Sequence, residues 1–185
     1  MNPSRRVAVL GGVRIPFCKN NSAYFDVGNL GMSIKTLGAL VEKFGLQGEV
    51  LGEVAMGAVL KHSSDWNLAR EATLSSGLSP LTPGITLQRA CGTGLDSCIT
   101  IANKIALGQI EAGIGGGADT TSDAPLAVGD KLRKILLEAN RAKDNKGRLA
   151  ALAKIRPAYL APDQPRNSEP RTGLSMGESA ALTAL

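Results

Sequence analysis

Cys91 stands in the run Gln88-Arg89-Ala90-Cys91-Gly92-Thr93-Gly94-Leu95-Asp96-Ser97, where one hydrophobic pattern ends and another begins. Ile85 and Leu87 precede it two residues apart, as on a short strand. Leu95, Cys98, Ile99, Ala102, Ile105 and Ala106 follow it at helical spacing. A cysteine at such a junction has the free backbone N–H groups of a helix, and the positive end of its dipole, beside the sulfur. Both favour thiolate over thiol, and the thiolate is the nucleophile. Gly92 and Gly94 leave the backbone open on either side of Thr93, so a substrate can come close. This is the pattern of a nucleophile elbow built on sulfur. The competing reading of Cys91 is a small buried hydrophobe, the common fate of a free cysteine.

The other chemistry-bearing residues read differently. Cys98 lies seven residues on, on nearly the same helix face, and is assigned to the core. Cys18 falls in a polar loop after Pro16 and has no role assigned. No Cys-x-x-Cys pair exists to hold zinc with these thiols and His62, the only histidine, so no metal is expected. His62 sits beside Lys61 and Ser63 and near Asp65; structural or surface duty is the first reading and a base for Cys91 the second. Asp119 follows the glycine run Gly115-Gly116-Gly117 and reads as a loop-capping carboxylate rather than an acid or base. Gly113 to Gly117 lacks the following Lys-Ser/Thr of a phosphate-binding loop.

The elements that position these residues alternate. Periodicity predicts strands at 7–11, 51–59, 85–88 and 112–118, with helices at 31–44, 68–76 and 92–107. Strands alternating with helices imply an α/β fold: a mostly parallel sheet with right-handed βαβ crossovers. Ligands of such sheets sit at the carboxyl ends of the strands, where Cys91 and Asp119 both fall. A first domain over 1–124 and a second over 125–185 are expected. In the second, Leu132, Ile135, Leu136, Leu149, Leu152 and Ile155 give helical periodicity broken around Asp144 to Gly147. Pro157, Pro162, Pro165 and Pro170 then mark an extended, loop-like tail.

Five stretches together resemble one family. Ala90-Cys91-Gly92-Thr93-Gly94-Leu95 is similar to the acyl-accepting cysteine segment of thiolases, which make or cleave 3-ketoacyl-CoA. Arg6 to Phe17 resembles their opening strand and Arg-(Thr/Ile)-Pro-Phe loop, and Asn67-Leu68-Ala69-Arg70-Glu71 the start of their second helix. Gly115 to Ser122 resembles their Gly-Gly-x-(Glu/Asp)-x-x-Ser strand end, and Ser175-Met176-Gly177-Glu178-Ser179-Ala180 their Met-Gly-x-(Thr/Ser)-Ala helix. The nearest subgroup is the long-loop thiolases of fatty-acid oxidation and their acetyl-CoA acetyltransferase relatives. The resemblance implies a thiolase-like N-terminal half followed by part of an inserted mixed helical and loop domain. It also implies that Cys91 is acylated by an acyl-CoA thioester, with coenzyme A as substrate and no separate cofactor.

Met176 matches the family methionine beside the pantetheine tunnel; its alternative is a buried first-turn residue. The family's Gly-His-Pro histidine and second Cys-x-Gly cysteine have no counterpart in these 185 residues. The chain also ends at Leu185 within a helical pattern, so it reads as an incomplete N-terminal half that turns over only with a complementing half; the alternative is a non-catalytic thiolase fragment or a subunit that needs a partner chain. Self-association is expected of the family. An uncovered sheet edge and apolar face are expected as well, and with them poor solubility.

The net charge is +5, and it is local. From Asp130 to Arg171 there are 11 Lys/Arg against 5 Asp/Glu, a balance of +6. Three readings of this segment stay open: a solvated helical face, a site for coenzyme A phosphates implied by the resemblance, or contact with anionic lipid or a partner subunit. Nucleic acid is not expected, since aromatic residues make up only 3% and no recognition module is present. No apolar run is long enough for a bilayer span, and 1–12 lacks a secretory h-region. Three irregularly spaced cysteines point to a reducing compartment, and the cytoplasm is expected.

Overall fold

Parallel strands form the centre of the first unit. In the computed structural model, which describes residues 5–184, β1 (Glu53–Gly57) lies between β2 (Gly84–Leu87) and β3 (Gly113–Gly117), all parallel. Gly57 pairs with Leu87 on one side and Gly117 on the other, so the carboxyl ends of all three strands finish level. Val54, Ala55 and Met56 are buried, as a strand covered on both faces requires.

The alternation of side chains along β1 divides the packing. Val54 and Met56 face α1 (Asn29–Phe44) and α2 (Leu68–Leu74), where Leu37, Val41, Ala69, Ala72 and Leu78 complete the apolar core. The opposite face carries α3 (Thr93–Ala106), whose buried row is Thr93, Ser97 and Ile101. That row lies on glycines. A Cβ on Gly115 would stand 2.6 Å from Cys98 Cα and 2.7 Å from its N, and one on Gly57 would stand 2.6 Å from Thr93 Cγ2. Small residues let the helix backbone rest directly on the sheet. Lys104 of α3 and Glu53 of β1 close the far end with a 2.5 Å ion pair.

The helix starts follow local chemistry. Asn67 caps α2 by accepting from the Arg70 N–H at 3.2 Å. The same side chain donates to the Gly84 carbonyl at 3.0 Å, joining the helix start to the strand before the cysteine. Gly45, at φ 63, ends α1 in the left-handed conformation that glycine adopts without penalty.

One expected element is missing. Residues 7–11 form no strand; Val9 and Leu10 are 92% and 83% exposed. Hydrophobic alternation is a local property, whereas a strand needs a ladder; among the described residues, 7–11 pairs with neither outer strand of the β2-β1-β3 sheet. The segment is tied instead at two points, from the Arg5 N–H to the Ala106 carbonyl (3.1 Å) and from Lys43 Nζ to the Gly12 carbonyl (3.0 Å).

The chain divides into two units, Met1–Ala124 and Pro125–Leu185. The second consists of β4 (Ala127–Val128) paired antiparallel with β5 (Pro162–Asp163), and of α4 (Asp130–Arg141), α5 (Asn145–Leu152) and α6 (Met176–Thr183). The break between α4 and α5 precedes Asn145 because Asp144 caps α5, accepting from the Gly147 N–H at 2.7 Å. α6 opens with a capping box: Glu178 N–H donates to Ser175 Oγ (3.2 Å), and Ser175 N–H donates to Glu178 Oε2 (2.7 Å). Among the described residues, no helix is long and apolar enough to cross a membrane.

Candidate active site

Cys91 lies four residues beyond β2 and two before α3, and it is exposed. Two turns wrap it. The Gly92 N–H donates to the Arg89 carbonyl at 3.0 Å, and the Thr93 N–H donates to the Ala90 carbonyl at 3.2 Å. In the first turn Ala90 has φ 42 while Cys91 is not left-handed, the φ signs of a type II′ turn with alanine where glycine is usual. The α3 ladder begins with the Asp96 N–H on the Gly92 carbonyl at 2.9 Å. The N–H groups of Gly94 and Leu95 therefore remain free in the first turn of the helix that Cys91 precedes by two residues; among the described residues nothing accepts from them. Arg89 reaches back over the helix start to Asp96 at 3.3 Å.

A second layer ties the strand ends together. Asp119 lies two residues beyond β3, and its carboxylate accepts from the Val59 N–H at 2.7 Å and the Leu60 N–H at 2.9 Å. Gln88, just past β2, donates from Nε2 to the Val59 carbonyl at 3.2 Å. Buried Asn29 donates to the Leu60 carbonyl at 2.8 Å. The loop after β1 is thus held by side chains just past β2 and β3 and by one from α1. Asp119 serves as a loop clamp, with both oxygens occupied.

The remaining candidates are placed elsewhere. His62 Nε2 lies 3.1 Å from Asp123 Oδ1 and 3.1 Å from the Asp123 carbonyl, a half-buried pairing that links the loop after β1 to the segment after β3. Cys98 is exposed, not core. Thr93, Ser97 and Ile101 take the face of α3 that meets the sheet, which turns Leu95, Cys98 and Ile99 outward. Cys18 is also exposed. Its neighbour Tyr24 has its phenol pushed above the ordinary value, first by lost solvation and then by the hydrogen bond with Cys18. Met176 is the first residue of α6 and is 76% exposed, so it is no buried first-turn residue. Among the described residues, no group of His, Cys, Asp and Glu gathers with metal-ligand geometry.

Comparison with known proteins decides the family. Residues 7–160 match the family model "Thiolase, N-terminal domain". The chain belongs to the thiolase family. It is 35% identical over 179 residues to the 3-ketoacyl-CoA thiolase of Photorhabdus laumondii, covering 97% of this chain and 41% of that protein. It is 34% identical over the same length to the 3-ketoacyl-CoA thiolase of Cronobacter sakazakii, with the same coverage. Among solved structures, the Bacillus anthracis acetyl-CoA acetyltransferase superposes with a TM-score of 0.75 at 22% identity, over 97% of this chain and 41% of that one. The α/β fold with its parallel sheet is therefore that of a thiolase N-terminal region. The chain spans about 41% of the length of the curated relatives it matches.

Several residues that hold the turns and loops around Cys91 carry little signal in the sequence. The left-handed φ at Ala90 leaves no sequence signal, because alanine is not a turn residue. Gln88 and Asn29 act on loop carbonyls that only the folded chain brings near. Thr93 was legible in part: a hydroxyl two residues after the cysteine, at a helix start, is a ready local hydrogen-bond partner.

Proposed function

We propose that these residues carry the acyl-accepting part of a thiolase, with Cys91 as the nucleophile. The observation that supports this most directly is the exposed Cys91 thiol on a tight turn at the mouth of α3. The Cys91 thiolate attacks the thioester carbonyl of an acyl-CoA. The tetrahedral oxyanion collapses, the bond to the coenzyme A sulfur breaks, and coenzyme A thiolate leaves and takes a proton. The free N–H groups in the first turn of α3 are of the kind that stabilise such an oxyanion. Splitting the transfer through an acyl-cysteine makes two easier steps of one hard one.

The carbon–carbon step needs a base to form the acetyl-CoA carbanion, the role the resemblance gives to the family's second cysteine, while the family's histidine stabilises the oxyanions; both would come from outside these 185 residues, through a complementing half or a partner chain. Acyl-CoA is the small-molecule partner, no resident cofactor is required, and assembly into a homo-oligomer is part of this reading. Met176 is retained as a substrate-side residue on the resemblance of its helix, and its 76% exposure leaves its side chain free for such contact. Three free cysteines fit a cytoplasmic setting. The basic segment 130–171 is the candidate for coenzyme A phosphates or an acidic partner surface.

The test is substrate protection. Acetyl-CoA is expected to shield Cys91 from iodoacetamide while leaving Cys18 and Cys98 open, and added free coenzyme A should restore alkylation by drawing the acetyl group back. Protection of all three thiols alike, or of none, would overturn the assignment.

A further inference from the structure

The two turns around Cys91 are closed by a single side chain. Thr93 Oγ1 accepts from the Arg89 N–H at 2.7 Å and donates to the Ala90 carbonyl at 2.8 Å. Its backbone N–H meets the same carbonyl at 3.2 Å. Thr93 is 3% exposed, and its methyl group packs over Gly57 of β1. The side chain is therefore fixed from below by the sheet, and along its backbone as the first residue of α3. From that position it grips the backbone on the amino-terminal side of Cys91. Ala90, the residue it grips, holds φ 42. A left-handed alanine persists only where its surroundings hold it.

We infer that Thr93 is the positioning residue of the Cys91 elbow: its hydroxyl holds Ala90 in the left-handed turn and so presents the Cys91 sulfur at the N-terminus of α3. The functional meaning of this rests on the acyl-accepting reading of Cys91. The geometry itself does not need coenzyme A. Without the hydroxyl, the Arg89 N–H loses its acceptor and the Ala90 carbonyl loses one of two donors, so Ala90 can relax toward ordinary φ. Cys91 then swings away from the free N–H groups of Gly94 and Leu95.

The experiment is peptide-resolved alkylation of the intact chain by iodoacetamide, with Cys18 and Cys98 as references inside the same molecule. Both are exposed, so general loosening of the fold would change their rates together with that of Cys91. Thr93→Val keeps the branched shape and removes the hydroxyl. Thr93→Ser keeps the hydroxyl and removes the methyl. Thr93→Val is expected to slow Cys91 relative to the two references by about fivefold or more, as the loss of two local hydrogen bonds implies. Thr93→Ser should keep Cys91 within about twofold of the parent, the margin of a retained hydrogen bond.

Equal loss in both variants would overturn the inference in favour of methyl packing on Gly57, and an unchanged Cys91 in Thr93→Val would overturn it outright. If the valine variant does not fold, the serine variant decides by amide exchange at Arg89. Retained protection with a normal Cys91 rate supports the inference, and lost protection with a normal rate refutes it. Failure of acetyl transfer alongside the expected alkylation pattern would sink the acyl-accepting reading and leave the positioning of Cys91 standing.

Discussion

At the scale of single residues, the site depends on what is missing from side chains as much as on what is present. Gly57 and Gly115 lie under Thr93 and under the Ser97–Cys98 backbone, and a methyl group on either would press into backbone atoms that cannot rotate away. Gly115→Ala is expected to destabilise the first unit by about 1–3 kcal/mol, the usual cost of overpacking, read as a lower midpoint in urea. The change should also disturb Cys91, because α3 would lift from the sheet. Asp119 offers a complementary test. Its carboxylate takes two backbone N–H groups of the loop after β1, and Asp119→Ala leaves both without that partner. Amide exchange at Val59 and Leu60 should rise roughly tenfold, in keeping with charge-assisted bonds of ordinary strength. Exchange within β1 should stay unchanged. Unaltered exchange at Val59 and Leu60 would show that Asp119 does not hold the loop.

At the scale of elements, α6 carries a pH dependence with a defined sign. The Ser175 backbone N–H, and then the Ser175 hydroxyl, hold the Glu178 carboxyl below its ordinary value. A carboxyl lowered in the folded chain adds stability above its unfolded value, and that stability is lost as pH falls through the folded one. The first turn of α6 should therefore loosen on acidification below the usual glutamate range, seen as faster amide exchange. Glu178→Gln should abolish the dependence. The capping box behind this was readable in advance, because Ser175 and Glu178 stand at the required spacing and need no distant partner. The three sheet strands and the helices α1, α2 and α3 were readable for a similar reason, since hydrophobic period is a local property. The opening strand was not. A strand at 7–11 needs a ladder with a neighbour, which the segment's own residue pattern does not supply, and the sheet order β2-β1-β3 does not include it. The outward turn of Cys98 was likewise hidden, because the glycine floor of β1 and β3 selects which face of α3 goes down.

At the scale of the whole molecule, the first unit leaves apolar surface uncovered. Leu95 and Ile99, one turn apart on α3, are 69% and 46% exposed, and Val9, Leu10 and Phe17 are each more than four-fifths exposed. Among the described residues, β2 and β3 each have one unpaired edge. Exposed apolar faces and open strand edges both favour association. Sedimentation velocity should show concentration-dependent self-association, reduced by Leu95→Glu. A monodisperse monomer at all concentrations would contradict this. The proposed acylation of Cys91 can be measured apart from the carbon–carbon step, because an acyl adduct on the cysteine is read directly by mass.

The most direct measurement is the intact mass of the folded chain after exposure to acetyl-CoA, run beside Cys91→Ala. The account predicts one acetyl adduct on the parent, absent from Cys91→Ala and removed by free coenzyme A. No adduct on a folded parent, or the same adduct on Cys91→Ala, would contradict it.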